Sequence, residues 1–229
     1  MECDVDEPYM ADEAQMIYEL AASPESRIAG VIAAARPEHA DFDKHLDSIA
    51  NTLLKGIRRV LHVVPDNTIE MPGFIDRVRT LEKRSLSFDI CVLDRQLTLA
   101  ERLIRECPQV SFVLDHCGNP RVAEGGFDEW AIRIREIARH DNVVCKLSGI
   151  VTNARRGNWT VSDLEPFISF LVDSFGCGRL VFGTDWPVCT LNSTLKDWVH
   201  SLEQILSGLT SSERGQIFAG NARSVYRLN

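Results

Sequence analysis

Short apolar segments rich in β-branched residues recur along this chain at intervals of roughly 25 to 35 residues, with segments of helical periodicity between them. Strict alternation of this kind predicts a parallel sheet covered by helices, either closed into a barrel or open and doubly wound. No glycine-rich phosphate loop follows a strand candidate, which disfavours a nucleotide-binding sheet. The strand candidates span residues 2–5, 28–35, 56–64, 87–93, 110–118, 142–150 and 179–187. The helical candidates span residues 13–22, 41–54, 72–84, 98–107, 128–140, 162–175 and 195–206.

The strand candidates number seven, one fewer than a complete (β/α)8 barrel requires. The first candidate begins at the very start of the chain, so either a strand is missing at the N-terminal end or one element is misassigned. No linker, low-complexity tract or charge block divides the sequence. We therefore expect one α/β domain over residues 1–229.

Charge and composition argue against several classes of protein. The 229 residues carry a net charge of −8, which disfavours a nucleic-acid or anionic-membrane surface. No stretch approaches the length of a transmembrane helix, and the acidic N-terminus lacks the apolar region of a signal peptide. The seven cysteines are odd in number and form no C-x-x-C pair, which fits a reducing compartment. We expect a soluble cytoplasmic protein.

Residues 179–188 form an apolar strand candidate whose exit carries Gly183, Asp185 and Pro187. A carboxylate at the carboxyl end of a buried parallel strand is where barrel enzymes hold catalytic groups. The alternative is an Asp that caps the turn or helix that follows. This segment alone leaves both interpretations open.

Polar residues also stand on single faces of three other strand candidates. Side chains alternate between the two faces of a strand, so His116 lies on the same face as Phe112 and Leu114. Of the adjacent pair Arg58 and Arg59, one must point into the barrel or its mouth, and His62 shares the face of Arg58. Lys146 lies on the next strand candidate after that of His116. Each has a structural alternative, as a hydrogen-bonded core histidine or as a cation that is solvated or paired with a helix carboxylate.

The recurrence of polar groups at the same end of several strands favours a functional site. A parallel barrel brings its strand ends together in one mouth. Asp185, His116 and one of the arginines would supply a carboxylate, an imidazole and a guanidinium there. Such a set suits hydrolysis of a carbonyl substrate, because the carboxylate can take a proton from water while the other groups stabilise the developing oxyanion.

Motifs spread over nearly the whole chain resemble the amidohydrolase-related lactonases. They are KGIRRVL (55–61), LDHCGNP (114–120), VCKLSGI (144–150), GTDWPV (183–188) and GNARSVY (220–226). The group within the amidohydrolase superfamily that they resemble contains L-fuconolactonase, L-rhamnono-lactonase and 2-pyrone-4,6-dicarboxylate lactonase. The resemblance implies a distorted (β/α)8 TIM barrel that hydrolyses sugar lactones or similar cyclic esters in carbohydrate metabolism.

The resemblance also implies roles for individual residues. Asp185 maps onto the general base of the family, and His116 maps onto a histidine that contacts substrate or metal. Arg58 maps onto the arginine that holds a substrate carboxylate or polarises the lactone carbonyl. Zinc is the candidate cofactor, with His116 and Asp185 as its ligands, although some of these lactonases use no metal. The remaining expected substrate-binding residues are Arg59, His62, Lys146 and Trp186.

The chain departs from the family at its N-terminal end. Family members open with a strand that carries a His-x-His motif, and none of the six histidines forms such a pair. The segment ECDV, residues 2–5, matches the second strand of the family, so we expect a barrel without its first strand. Zinc would then have two protein ligands instead of the usual three, and two exposed sheet edges would favour a homo-oligomer.

Two alternatives to a lactonase follow. One is a non-catalytic binding remnant of the barrel, motivated by the absent His-x-His pair. The other is a decarboxylase of the same superfamily acting on a small carboxylated substrate.

Overall fold

In the computed structural model, which describes residues 5–228, one parallel sheet runs through the chain. Its six strands lie side by side in sequence order, each paired in parallel with the next. They are β1 (Val31–Ala34), β2 (Leu54–Val60), β3 (Ser87–Cys91), β4 (Phe112–Leu114), β5 (Val143–Leu147) and β6 (Leu180–Phe182). The parallel α/β arrangement predicted from the sequence is confirmed. Of the first strand candidate, residues 2–5, all but Val5 lies outside the described residues.

Helices connect successive strands, and further helices precede β1 and follow β6. They are α1 (Met10–Ala21), α2 (Phe42–Ser48), α3 (Phe74–Arg79), α4 (Leu81–Arg84), α5 (Leu97–Glu106), α6 (Phe127–Ile137), α7 (Val161–Phe175), α8 (Leu195–Ile205), α9 (Ser211–Gly215) and α10 (Asn221–Val225). The predicted helix over 41–54 was too long, because its last residue already begins β2. The predicted helix over 72–84 divides into α3 and α4.

The two faces of the strands differ in chemistry. Ile57, Phe88 and Phe112 are buried in the hydrophobic core shared with the helices. Residues of the opposite parity face inward, and several of them are charged. The Lys146 ammonium on β5 lies 2.8 Å from the Asp89 carboxylate on β3, although β4 stands between these strands. The sheet is therefore strongly curved, and its concave face encloses the polar interior of a barrel.

Residues 221–228 run beneath the amino ends of the strands, and we call them the floor segment. The side-chain amide of Asn221 donates to the carbonyl oxygen of the first residue of β6, at 2.7 Å. The Arg227 guanidinium donates to the carbonyl oxygens of Lys55, in β2, and Ser85, just before β3. The floor segment therefore ties β6 to β2 and β3 at the end of the barrel opposite the strand exits.

Two expectations drawn from composition can be compared with the structure. None of the helices within residues 5–228 is both long and apolar enough to cross a membrane. The six cysteines in the described part of the chain are free thiols, five of them buried. Burial raises the pKa of the Cys117 thiol to about 12, so this thiol is protonated at neutral pH.

Candidate active site

Three of the residues predicted from the sequence meet at the carboxyl ends of the strands. Arg58 comes from β2, His116 follows β4, and Asp185 follows β6. The Nη2 atom of Arg58 lies 3.0 Å from Nε2 of His116. On the other side of the ring, Nδ1 of His116 lies 3.9 Å from Oδ1 of Asp185. The structure thus brings together the carboxylate, imidazole and guanidinium expected at the mouth.

His116 lies in a tight turn and not in a strand, contrary to the predicted strand over 110–118. β4 ends at Leu114, and His116 and Cys117 have φ values of 53° and 57°, in the left-handed region. Such conformations cost a non-glycine residue free energy and persist where surrounding contacts hold them. Here the buried Trp130 indole donates to the Cys117 carbonyl at 2.8 Å, and the Asn119 amide donates to the Val92 carbonyl at 2.8 Å. The turn directs the imidazole over the barrel mouth.

The position of the histidine ring requires a glycine at residue 149, the second residue after β5. Its φ is 65°, and a Cβ atom placed there would lie 2.8 Å from Cβ, Cγ and Nδ1 of His116. A contact that short does not occur between ordinary side chains. The glycine therefore permits both the turn and the close approach of the ring.

The hydrogen bonds of His116 fix which nitrogen carries its proton. Arg58 has donors but no acceptor, so Nε2 of His116 must accept. Nδ1 then carries the proton and points towards Ser148 Oγ, at 2.9 Å. The geometry describes a neutral imidazole, because a proton on Nε2 would face the N–H group of Arg58. The two contacts hold the ring from both sides.

Asp185 occupies the exit from β6 with a φ of 52°. Its carbonyl oxygen accepts the Cys189 amide at 2.8 Å, and the buried Trp198 indole donates to the Gly183 carbonyl at 3.0 Å. The Asp185 side chain is 12% exposed, which leaves it open to a small molecule in the mouth. Trp186, expected to bind substrate, is 66% exposed beside it.

The buried carboxylate of Asp115 balances the charge on Arg58. Nε of Arg58 and Oδ2 of Asp115 form an ion pair at 2.9 Å, with angles that fall short of a hydrogen bond. Burial by itself would raise the pKa of Asp115, but the charges of Lys146 and Arg58 outweigh it and lower that pKa to about 2. Asp115 is therefore ionised at neutral pH and anchors the guanidinium.

Two other predicted substrate-binding residues lie away from this mouth. Arg59 points to the opposite face of β2, where it is buried and paired with Glu38. Adjacent strand residues face opposite sides, so Arg58 and Arg59 cannot both reach the interior. Lys146 does face the interior, but its side chain is 4% exposed and its ammonium contacts Asp89 and Asp115. We therefore correct the expectation that these two cations line the substrate site.

His62, the remaining predicted substrate-binding residue, lies near the cluster. Its Nδ1 is 3.5 Å from Sγ of Cys91, and Nη2 of Arg58 is 3.6 Å from the same sulfur. The Cys91 thiol thus links His62 to the guanidinium.

Sequence reasoning missed the buried partners of these groups. Asp115 stands next to His116 in the LDHCGNP motif, and Asp89 is a charged residue within the short apolar strand β3. A fully buried carboxylate needs a cationic partner, and that rule would have singled out both. Tyr226 ends the GNARSVY motif, but nothing in the local sequence signalled that its hydroxyl donates to Asp89, at 2.7 Å.

One cluster of metal-ligating side chains occurs in the described residues. Cys91, Asp115 and His116 place their ligand atoms within 4.8 Å of one another. The Arg58 guanidinium stands among them, 3.6 Å from the sulfur, 2.9 Å from the carboxylate and 3.0 Å from the imidazole. A divalent cation there would face the charges of Arg58 and Lys146, and burial raises the pKa of the Cys91 thiol to about 12. The trio does not fit a metal ion while Arg58 occupies its centre.

The metal ligands expected from the sequence were His116 and Asp185. Within residues 5–228, no third histidine, cysteine or carboxylate forms a ligand group with these two. Catalytic zinc is usually held by three protein ligands. The described residues therefore do not form a complete zinc site around this pair.

Comparisons with known proteins agree with the fold and the motifs. The amidohydrolase family model matches residues 5–228. The chain is 31% identical to an L-fucono-1,5-lactonase of Burkholderia ambifaria, over 91% of this chain and 73% of that protein. It is 33% identical to an L-fucono-1,5-lactonase of Burkholderia multivorans, over 95% of this chain and 77% of that protein. A crystal structure of an amidohydrolase from Burkholderia multivorans with bound zinc superposes with a TM-score of 0.89, at 32% identity, covering 95% of this chain and 80% of that one.

Proposed function

This chain belongs to the amidohydrolase family of hydrolytic enzymes, and we propose that it opens a sugar lactone by hydrolysis at the mouth formed by Arg58, His116 and Asp185. The observation that carries the proposal is the approach of the Asp185 carboxylate to His116, at 3.9 Å, with Arg58 directly behind the ring at 3.0 Å. A proton acceptor and two groups able to stabilise negative charge therefore converge at the barrel mouth. The lactonase relatives support a lactone as the substrate.

In the proposed reaction, Asp185 acts as the general base. A water molecule attacks the lactone carbonyl carbon, and the carboxylate accepts a proton from that water as the new C–O bond forms. The ring C–O bond of the tetrahedral intermediate then breaks, and the departing ring oxygen takes the proton back from Asp185. The product is an open-chain hydroxy acid, and the base is regenerated.

His116 and Arg58 are proposed to stabilise the oxyanion that develops on the carbonyl oxygen. Donors held in place before the reaction lower the barrier without reorganising. Ser148 and Arg58 hold the imidazole from both sides, and Asp115 holds the guanidinium from below. The oxyanion would replace Ser148 Oγ as the acceptor of the Nδ1–H group of His116, and the Arg58 guanidinium would meet it while paired with Asp115.

The charges around the mouth support an uncharged lactone as the substrate. Asp115 neutralises Arg58, and Lys146 is shared by two carboxylates beneath it. A substrate carboxylate would have to compete with these buried anions for its cation. An uncharged sugar lactone, such as the L-fucono-1,5-lactone named for the Burkholderia relatives, does not face that competition.

The experiment is hydrolysis of L-fucono-1,5-lactone, followed through acid release with a pH indicator. The wild-type chain should hydrolyse the lactone faster than the buffer alone. Asp185→Asn should lower kcat by roughly 10² to 10⁴-fold, because the amide cannot accept the proton of water. Asp12→Asn is the matched control, since Asp12 is exposed on α1, outside the mouth.

Two outcomes would contradict the proposal. An Asp185→Asn protein with the kcat of Asp12→Asn would remove Asp185 as the base. Absence of lactone turnover by a folded wild-type chain would favour a binding remnant of the barrel, and release of carbon dioxide from a carboxylated substrate would favour a decarboxylase.

A further inference from the structure

A chain of buried polar contacts runs through the barrel interior from its floor to its mouth. The Tyr226 hydroxyl donates to Oδ2 of Asp89 at 2.7 Å, and the Lys146 ammonium donates to the same oxygen at 2.8 Å. Lys146 also donates to Oδ1 of Asp115 at 2.7 Å, and Oδ2 of Asp115 is paired with Arg58 at 2.9 Å. Each contact shares a group with the next one.

The charges along this chain balance. Asp89 and Asp115 are fully buried carboxylates, and Lys146 and Arg58 are the two cations that contact them. Buried charges are tolerated when each is paired and hydrogen-bonded, and removal of one partner is strongly destabilising. The Tyr226 hydroxyl supplies an additional donor to Asp89, and its ring lies 5.9 Å from the Lys146 ammonium. A change at Tyr226 therefore affects Lys146 in two ways, through the shared Asp89 carboxylate and through the contact with the ring.

Tyr226 belongs to the floor segment, which is held separately from this network. Asn221 fastens that segment to β6, and Arg227 fastens it to β2 and β3. Loss of the Tyr226 hydroxyl would leave these anchors in place. The hydroxyl can therefore be removed without freeing the floor segment.

We propose that Tyr226 is a positioning residue, which sets the location of Arg58 through Asp89, Lys146 and Asp115. The hydroxyl and the ammonium share one oxygen of Asp89, so without the hydroxyl the ammonium moves towards Asp89 and away from Asp115. Asp115 then loses part of its support, and the guanidinium shifts at the mouth.

The catalytic part of this inference rests on the proposed lactone hydrolysis, whereas its structural part does not. Tyr226→Phe removes one oxygen atom and keeps the ring. Tyr18→Phe is the matched control, because the buried Tyr18 hydroxyl donates to the Ile49 carbonyl at 2.7 Å, outside the network. Both variants lose one hydrogen bond of the same length.

With L-fucono-1,5-lactone as the substrate, Tyr226→Phe should lower kcat by about tenfold with little change in KM, because a displaced charge acts on the transition state. Tyr18→Phe should keep the wild-type kcat while its melting temperature falls as much as that of Tyr226→Phe. An unchanged kcat in Tyr226→Phe, or an equal loss in both variants, would overturn the assignment. If Tyr226→Phe does not fold, Asp89→Asn replaces it in the same comparison.

A second measurement needs no turnover. Arg58 contacts Nε2 of His116, so a shifted guanidinium changes the surroundings of that ring. In protein labelled with ¹³C-histidine, the Cε1–H signal of His116, assigned with His116→Gln, should move in Tyr226→Phe and stay in place in Tyr18→Phe. A signal that stays in place in both variants refutes the positioning role, whether or not the protein hydrolyses lactones.

Discussion

Gly149→Ala tests how closely the fold fits around the proposed catalytic histidine. The new Cβ atom would lie 2.8 Å from three atoms of His116, and ordinary contact begins at 3.4 Å. The ring must therefore withdraw by about 0.6 Å, enough to stretch a 2.9 Å hydrogen bond from Nδ1 to Ser148 beyond its normal range. The displacement acts on a group whose position is proposed to determine the rate.

Two effects contribute to the expected loss of stability. An alanine at a φ of 65° costs roughly 1–2 kcal/mol in any surroundings. Forcing a methyl group against a packed ring costs roughly 1–3 kcal/mol more. Gly149→Ala should therefore lower the free energy of unfolding in urea by about 2–5 kcal/mol, and kcat/KM for the lactone by up to about 10²-fold.

Gly157→Ala separates the two effects. Gly157 has the same φ of 65°, and an added Cβ atom there would have nothing within 4 Å. This control should lose only the roughly 1–2 kcal/mol of backbone strain and should keep its activity. Equal activities in the two variants would refute the view that the position of the His116 ring limits the rate.

Three further changes probe the buried charges. Lys146→Met should lower the free energy of unfolding by roughly 3–5 kcal/mol in urea titrations, because it leaves Asp89 and Asp115 without their shared cation; a loss below 1 kcal/mol would contradict that pairing. The folded pKa of Asp115 lies below its unfolded value, so the stability that the ionised carboxylate contributes should be fully present above about pH 4 and should be lost as the pH falls towards 2. In acid titrations of the free energy of unfolding, Asp115→Asn should show a shallower slope than the wild type. Arg58→Ala should let Co²⁺ bind to Cys91, Asp115 and His116, with a charge-transfer absorption from the Cys91 thiolate. The double variant Arg58→Ala/Cys91→Ser should lack this absorption. The same absorption in the wild type would show that the guanidinium does not exclude the metal.

The boundaries of elements were less predictable than their order. Every strand candidate within the described residues became a strand, because apolar β-branched runs bury well on both faces of a parallel sheet. The candidate over 110–118 nevertheless ended at Leu114. The turn that follows is set by contacts from Trp130 and Asn119 and by the space at Gly149, none of which is visible in the local pattern.

The sequence by itself determined the alternation of strands and helices, the motifs at the strand exits, and the fact that Arg58 and Arg59 face opposite sides. These are local properties, because side-chain direction alternates with a period of two along a strand. The family resemblance pointed to Arg58 as the inward arginine, but only the tertiary structure decided that Asp115 is its partner and that Lys146 is sequestered by carboxylates below the mouth. Tyr226 reaches Asp89 across 137 positions in the chain, and such a contact depends on the curvature of the sheet and the path of the floor segment. Sequence spacing fixes the face on which a side chain lies, whereas its charge partner depends on which strands the curved sheet brings opposite one another.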